Sequence, residues 1–196
     1  LGRAHGGPGN MEEKILSTNP VLEAFGNAAT TRNRNSSRFG KWLDVRLSHA
    51  GGSLQIHGCK LTHYLLETTR VCKHALGESG YHIFYLLLQA PATLLEELGL
   101  ERESAAYNYL SGSQQGPEPA GGLEPVREAL SALGIDGKLQ RDMFQTLAGI
   151  LLLGNCEFEG SQLTEGGMEA ARHAAELLGL DREQLVDCML VATRHI

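Results

Sequence analysis

The chain has 196 residues, a length typical of one folded domain or slightly more than one. Its formal net charge of -6 argues against a general nucleic-acid-binding protein, because affinity for the phosphate backbone requires accumulated Lys and Arg. Its four cysteines include no C-x-x-C pair, and its longest apolar runs are far shorter than the roughly 20 residues of a membrane span. We therefore expect a protein of the reducing cytoplasm with no disulfide framework, zinc finger or transmembrane segment.

The first ten residues are rich in glycine and predict a flexible loop. A helix is expected to follow, because apolar residues recur at helical spacing between Ile15 and Phe25. Pro20 predicts the first turn of a second short helix, since proline is tolerated there and disrupts a helix interior. Gly26 is then expected to end that helix.

The segment "RNRNSSRFGKW", residues 32–42, combines three arginines and a lysine with small polar side chains. Arginine binds a phosphate or carboxylate with a planar fork, amide groups donate to phosphate oxygens, and serine hydroxyls are suitable ligands for Mg²⁺. Polar loops are also common without any such role. The residues alone leave three interpretations open: a local nucleic-acid patch, a phosphate-binding loop, or a solvated connection.

A β-hairpin is predicted after this loop. In residues 41–47, Trp42, Asp44 and Arg46 alternate with Leu43, Val45 and Leu47, which is the period of a strand. Residues 48–53, "SHAGGS", predict a long turn. The second strand is expected to have one face formed by Leu54, Ile56 and Gly58.

The segment "HGCKLTH" contains three side chains of metal-ligand type, His57, Cys59 and His63. The first two are expected to share a strand face. Their spacing matches no standard zinc pattern, and the sequence suggests no fourth ligand. We therefore interpret them as surface or core-filling residues, and no Ser-His-Asp set follows from spacing either.

Residues beyond the hairpin are predicted to be helical, with corners at Gly99, Gly134 and Gly179. Each glycine lies where a helix ends in a left-handed residue followed by an apolar one. Asp136 and Asp181 are expected to cap the next helices, Asp181 together with Gln184.

One long helix, residues 138–153, is predicted to pack on the core through a single apolar stripe. The stripe consists of Leu139, Met143, Phe144, Leu147, Ile150 and Leu151. The Pro/Gly-rich residues 117–122 predict a surface loop before it.

The motif N-x-N-S-S-R-F-G-K resembles the switch I loop of myosin motor domains. It is formed by Asn33, Asn35, Ser36, Ser37, Arg38, Phe39, Gly40 and Lys41. Kinesins share the Ser-Ser-Arg element without the Phe-Gly-Lys that follows, so the motif is specific. The resemblance continues through residues 64–71, 77–88 and 147–158 and covers nearly the whole chain. The departures from usual myosin residues lie at Ala29, Thr68 and Thr69.

The resemblance implies roles for five residues of the loop, with ATP and Mg²⁺ as cofactors. Asn33 is implied to contact a nucleotide phosphate, and Asn35 to belong to the same nucleotide-binding set. Ser36 is implied to lie beside the attacking water, and Ser37 to bind Mg²⁺. Arg38 is implied to pair with a Glu of a second switch when the site closes, which gates hydrolysis.

The implied fold class is α/β, a partial P-loop NTPase motor core in which a hairpin of the central sheet precedes a mainly helical subdomain. Residues 1–63 would form the switch I and hairpin region, and residues 64–196 most of the upper subdomain of the actin cleft. No G-x-x-x-x-G-K-[ST] phosphate loop is present, since Lys41 and Lys138 are followed by Trp and Leu. We therefore expect an internal piece of a motor that is inactive alone.

The implied function is that of an actin-based cytoskeletal ATPase motor located in the cytoplasm and cytoskeleton. Its implied partners are actin filaments, with light chains or calmodulin bound through regions outside this chain. The alternative is a stand-alone, non-catalytic interaction domain derived from such a head. A monomer that unfolds cooperatively by itself would favour the alternative.

Overall fold

The computed structural model describes residues 9–50, 53–113 and 122–192. The predicted N-terminal loop lies mostly outside the described residues, as does the predicted loop at 117–122. The helices of the described part are α1 (Gly9–Gly26), α2 (His82–Leu88), α3 (Ala92–Leu98), α4 (Glu124–Ala132), α5 (Gly137–Gly154), α6 (Glu165–Leu178) and α7 (Arg182–Ala192). The chain is therefore helical over most of its second half, as the sequence predicts.

Within the described ranges, the strands form three antiparallel pairs of two strands each. They are β1 (Asn27–Ala28) with β2 (Ser36–Ser37), β3 (Gly40–Ala50) with β4 (Ser53–Tyr64), and β5 (Phe158–Glu159) with β6 (Gln162–Leu163). The fold is thus a mixture of helix and strand. The small β5–β6 pair corrects the expectation that everything after the hairpin is helical.

Pro20 does not begin a second helix but lies inside α1, which runs without interruption to Gly26. A proline in a helix interior removes one backbone hydrogen bond and costs about 3 kcal/mol when nothing offsets it. Helix α1 packs against both α2 and α4, and this tertiary packing sustains the helix through the proline. The expected helix end at Gly26 is confirmed.

The hairpin is longer and more tightly connected than the sequence predicts. Pairing continues to Ala50 and Ser53, so only residues 51–52 lie between the paired strands and the predicted turn at 48–53 is wrong. The register shifts between Arg46 and Leu47, which leaves His57 as an extra, unpaired residue.

The extra residue changes which side chains share a face of β4. Residues that are partners across an antiparallel pair lie on the same face of the hairpin. On the apolar face, β4 therefore contributes even-numbered residues before the extra residue and odd-numbered residues after it. That face consists of Leu43, Val45, Leu47, Leu54, Ile56, Cys59 and Leu61. Gly58 pairs with Arg46 on the other face, so the predicted grouping of Gly58 with Ile56 is wrong.

The helix corners are confirmed. Gly99, Gly134 and Gly179 have φ values of 60°, 85° and 65°, in the left-handed region that glycine favours. Asp136 caps α5 by accepting a hydrogen bond from the Leu139 amide at 2.9 Å. Asp181 accepts from the Gln184 amide at the same distance, before α7.

One member of the predicted stripe on α5 is wrong, since Leu139 is half exposed. Its neighbour Gln140 is buried instead and donates from Nε2 to the Ser131 hydroxyl and to the carbonyls of Arg127 and Ile135. A glutamine with these partners fills the buried position beside α4, which turns Leu139 toward solvent.

The core is organised around α2, all seven of whose residues are buried. A helix that is apolar on every side is typical of a fully enclosed position. Its neighbours in the core include Leu98, Leu110, Leu130, Phe144 and Leu151. Only His82, the first residue of α2, adds a strongly polar side chain to this helix, and it faces the loop described next.

Candidate nucleotide-site loop

The predicted site residues lie in one loop that a short ladder closes at its base. Strand β1 pairs with β2 through Asn27 with Ser37 and Ala28 with Ser36. The Arg38 amide then donates to the carbonyl of Gly26 at 2.8 Å. The sequence between the two strands, residues 29–35, therefore projects as a closed loop from the end of α1.

The tip of the loop is a compact turn that Asn33 stabilises. The Thr30 amide donates to the Asn33 carbonyl at 2.8 Å, and the Asn33 amide donates to the Thr30 hydroxyl at 3.1 Å. The Asn35 amide donates to Oδ1 of Asn33 at 2.9 Å. Because its oxygen is occupied inside the loop, the exposed Asn33 side chain keeps Nδ2 as a donor toward solvent.

Asn35 is bound from behind by two buried residues. Its Oδ1 accepts from Nδ2 of Asn27 at 2.9 Å and lies 3.0 Å from Nε2 of His82. Its own Nδ2 donates to Glu23 at 3.4 Å. Asn27 and His82 are 5% and 4% exposed, so both bring polar groups that require a partner. Desolvation by burial lowers the pKa of His82 to about 4, so the imidazole is neutral at pH 7.

Arg38 connects the loop to a chain of alternating charges. Its Nε is 2.5 Å from Oε2 of Glu67, and its Nη1 donates to the Ser36 hydroxyl at 3.2 Å. Glu67 also accepts from Nε of Arg70 at 3.0 Å. Arg70 in turn contacts Glu78 at 3.1 Å through Nη1. The backbone follows the same connection, since the Glu67 amide donates to the Arg38 carbonyl at 3.0 Å.

Glu67 and Arg70, the two inner members of this series of ion pairs, stay charged. Partial burial acts to raise the pKa of Glu67, but hydrogen bonds and charge from Arg70 and Arg38 outweigh it and lower that pKa. Burial acts to lower the pKa of Arg70, and its bonds with Glu67 and Glu78 reverse the effect and raise it. The loop therefore rests on a buried cation held between two carboxylates.

The loop is further fixed to the segment that precedes α2. Ala29 and Ser79 exchange two hydrogen bonds of 2.9 Å, from the Ala29 amide to the Ser79 hydroxyl and from the Ser79 amide to the Ala29 carbonyl. Ala28 forms a bridge with Tyr81. Because these contacts involve the chain immediately before the enclosed helix α2, the base of the loop is attached to the core.

The structure thus brings Ser36 into direct contact with Arg38 and Asn33 into contact with Asn35. Ser37 lies in β2 with an exposed side chain. Sequence reasoning missed Glu67, Arg70 and His82. Glu67 and Arg70 are three residues apart in "ETTR", a spacing that suits an ion pair. Neither this spacing nor the sequence around His82 indicates a contact with the loop. Glu67 is 29 residues from Arg38, and His82 is 47 residues from Asn35.

His57, Cys59 and His63 do not converge on the hairpin. His57 is unpaired, Cys59 pairs with Val45, and His63 pairs with Lys41. Among the described residues, no group of three or more His, Cys, Asp or Glu side chains is arranged to hold a metal ion. None of the helices in that part of the chain is long and apolar enough to cross a membrane.

Comparison with known proteins identifies the family. The model of the myosin head (motor domain) matches residues 4–195. The chain is 38% identical to unconventional myosin-Ia of Mus musculus, over 90% of this chain and 18% of that protein. It is 39% identical to unconventional myosin-XIX of Homo sapiens, over 93% and 19% respectively. Myosin-3 of Caenorhabditis briggsae is 36% identical, over 92% of this chain and 9% of its own length.

The chain therefore spans less than a fifth of the length of these relatives. The matched residues nevertheless include the loop, the hairpin and the helical part. The chain belongs to the myosin head (motor domain) family.

Proposed function

We propose that this chain is part of an actin-based motor that couples ATP hydrolysis to movement along actin filaments, and that it contributes switch I to the Mg-ATP site. The observation that carries the proposal is the loop itself. Its motif residues form a closed turn on a myosin head chain, and the side chains of Asn33 and Ser37 are exposed at its surface. Cytoplasm and cytoskeleton are the proposed location.

The residues of the loop fit the chemistry of a magnesium nucleotide. The Ser37 hydroxyl is a hard oxygen donor of the kind that Mg²⁺ prefers, and no side-chain partner occupies it among the described residues. The Asn33 amide offers Nδ2 to a phosphate oxygen, because its own oxygen is fixed by the Asn35 amide. Bound Mg²⁺ would neutralise charge on the phosphate oxygens. Asn35 completes the proposed nucleotide-binding set.

Ser36 and Arg38 are the proposed catalytic pair. The hydroxyl of Ser36 accepts from Arg38, so the arginine orients it for contact with the attacking water. Arg38 is the proposed ion-pair partner of a carboxylate on a second switch. In this structure it pairs with Glu67, which supports a guanidinium that forms charged contacts at this edge of the loop.

The central test is ATP hydrolysis by the protein at its complete natural length, measured with and without actin filaments. We expect saturable Mg-ATP turnover that actin filaments accelerate. Ser37→Ala is expected to raise the Mg²⁺ concentration needed for half-maximal turnover, because one proposed metal ligand is removed. If the complete protein binds neither Mg-ATP nor actin filaments, the motor proposal is wrong and the non-catalytic interaction domain replaces it.

Arg38→Lys tests whether Arg38 acts through geometry or charge alone. Lysine keeps the positive charge but loses the planar fork, so it reaches one oxygen without fixing two groups in register. We expect ATP still to bind while single-turnover hydrolysis slows roughly tenfold, the equivalent of about 1.4 kcal/mol. Hydrolysis at the parental rate would show that charge suffices, and loss of ATP binding would place Arg38 on the nucleotide.

A further inference from the structure

Two buried side chains, one amide and one imidazole, hold the amide of an exposed loop residue from behind. We call Asn27, Asn35 and His82 the amide–imidazole cluster. Asn27 begins β1 directly after α1, and His82 is the first residue of α2. Asn35 is the loop residue between them, and its single side-chain oxygen is the meeting point of both contacts, at 2.9 and 3.0 Å.

The hydrogen-bond inventory fixes the role of each member. Nδ2 of Asn27 can only donate, so Oδ1 of Asn35 is an acceptor in the first contact. The same oxygen must also be the acceptor for His82, which requires the proton of the imidazole to lie on Nε2. Asn35 Nδ2 is directed to Glu23 at 3.4 Å, which is consistent with this orientation of the amide. The three residues therefore make one internally consistent set of bonds.

Burial explains why the cluster has consequences beyond one hydrogen bond. Asn27 and His82 lie in the interior, where a polar group without a partner costs roughly 1–3 kcal/mol. Oδ1 of Asn35 satisfies a donor from each of them at the same time. If Asn35 moves outward, two interior donors lose this acceptor, so the loop position that keeps both satisfied is favoured.

The imidazole acts in its neutral form. Nδ1 of His82 is buried and has no hydrogen-bond partner in the described part of the chain, so an added proton there would find no acceptor. The lowered pKa described above is the expected result of that burial. At pH 7 the side chain is thus a fixed neutral donor at the start of the most enclosed helix of the fold.

We propose that His82 is a positioning residue of the nucleotide site: it holds Asn35, and through Asn35 it fixes the loop from which Asn33 and Ser37 face solvent. Asn33 and Asn35 are joined by the bond between the Asn35 amide and the Asn33 side chain, so the position of one determines that of the other. Asn35 then acts on the nucleotide through the placement of Asn33. This inference rests on the proposed function, because it assigns the residue to the Mg-ATP site.

The test compares four variants of the complete natural-length protein. His82→Leu removes the donor at similar size, whereas His82→Gln offers an amide N–H near the position of Nε2. Asn35→Ala removes the acceptor. Tyr85→Phe is the matched control, because Tyr85 is also buried in α2 and its hydroxyl bonds to the Gly80 amide and to Ser113, neither of which belongs to the loop.

The first readout is tryptic cleavage after Arg32 and Arg34, which lie in the exposed part of the loop. Cleavage of a native protein follows the population of its opened form. We expect His82→Leu and Asn35→Ala to speed cleavage at these sites roughly five- to tenfold, the scale of one lost hydrogen bond. His82→Gln and Tyr85→Phe should remain near the parental rate. Equal rates in all variants would overturn the positioning role.

The second readout is the KM for Mg-ATP measured against kcat. His82→Leu is expected to raise KM roughly five- to tenfold, with recovery in His82→Gln, while Tyr85→Phe leaves both constants unchanged. A loosened loop with an unchanged KM would also overturn the proposal. If the parental protein shows no Mg-ATP turnover, the proposed function has failed, and the cleavage experiment still decides whether the cluster holds the loop.

Discussion

Arg70 is the buried charge on which the candidate loop depends. It is only 4% exposed, and its guanidinium contacts Glu67, Glu78 and the carbonyl of Ser79. A buried cation is tolerated when its partners surround it, and removing one of them leaves an uncompensated charge. Glu67 matters twice, because it is shared between Arg70 and Arg38.

Glu67→Gln tests the value of that shared charge. The change keeps the size of the side chain, leaves Arg70 with Glu78 as its one carboxylate, and removes the ionic partner of Arg38. We expect the free energy of unfolding in urea to fall by about 1–3 kcal/mol. Glu124→Gln is the control, because its pair with Arg127 is exposed and should contribute less than about 1 kcal/mol. An equal decrease in the free energy of unfolding in both variants would show that the burial of Arg70 has no role.

His82 predicts a loss of stability in acid. Its pKa is about 4 in the folded chain and has a usual value of 6.5, so the unfolded chain binds protons more readily between these values. Its contribution to stability is complete above pH 6.5 and is lost as the pH falls through 4. Between pH 7 and 4, we expect the parental chain to lose up to about 3 kcal/mol more than His82→Gln does. Parallel losses, followed by urea unfolding at each pH, would contradict this assignment.

At the scale of elements, the end of α1 packs closely against the loop because a glycine, with no side chain, lies at the contact. Gly26 ends α1, and a β-carbon at this position would overlap the ring of Phe39, the residue that follows Arg38. The glycine at the helix end and the phenylalanine of the motif are therefore parts of one contact. Gly26 directly precedes β1 and Phe39 follows β2, so this contact lies next to the ladder that closes the loop.

Gly26→Ala is expected to destabilise the chain by about 1–3 kcal/mol, because the added methyl group overpacks against Phe39. In Gly26→Ala/Phe39→Leu the smaller side chain should recover part of this loss. Gly137→Ala is the control, since open space surrounds that glycine at the start of α5. Urea unfolding of these variants and of Phe39→Leu alone measures each effect. Additive losses in the double variant would show that the two positions do not touch.

The sequence predicts those elements whose signals are local. Gly99 and Gly179 mark helix ends because the left-handed conformation depends on the residue itself, and Asp136 caps the helix that begins beside it. Pro20 was misleading because distant helices stabilise α1 through the proline. The bulge at His57 depends on how β4 pairs with β3, and this register cannot be read from the alternation of residues in one strand alone.

The same distinction applies to the candidate site. The motif from Asn33 to Lys41 is contiguous, so its resemblance to switch I is visible in the sequence alone. Its supports are not contiguous: Glu67 and His82 reach the loop only after the chain has passed through the hairpin. No local rule connects a glutamate or histidine to a turn so far away. The roles of the loop residues toward ATP and Mg²⁺ stay predictions.

At the scale of the whole molecule, the helical core and the hairpin differ in how they are covered. All residues of α2 are buried, whereas four side chains on the apolar face of the hairpin are exposed in the described part of the chain: Leu43, Val45, Leu47 and Leu54. Leu47 and Leu54 on that face are 54% and 58% exposed. An exposed apolar strand surface of this kind favours association with other chains.

We expect the isolated 196-residue chain to associate, with a light-scattering mass above its 21.2 kDa. Leu47→Thr/Leu54→Thr should shift the mass toward that of the monomer, since it removes apolar surface and keeps residues that suit a strand. Asp44→Thr/Lys60→Thr is the control, because these partners lie on the opposite face and the net charge is unchanged. A parental chain that is already monomeric would contradict this prediction and support the stand-alone domain.

The bulge in β4 is one residue of extra length that the hairpin accommodates without losing a cross-strand pair. Excision of His57 would leave every cross-strand partner in place, because Ile56 would still pair with Leu47 and Gly58 with Arg46. The apolar face would keep all its members. What would change is curvature, since an extra residue bends a strand and increases its twist. A variant lacking this one residue would therefore have a straighter hairpin. The same side chains would form the apolar face, but that face would be less bent and less twisted.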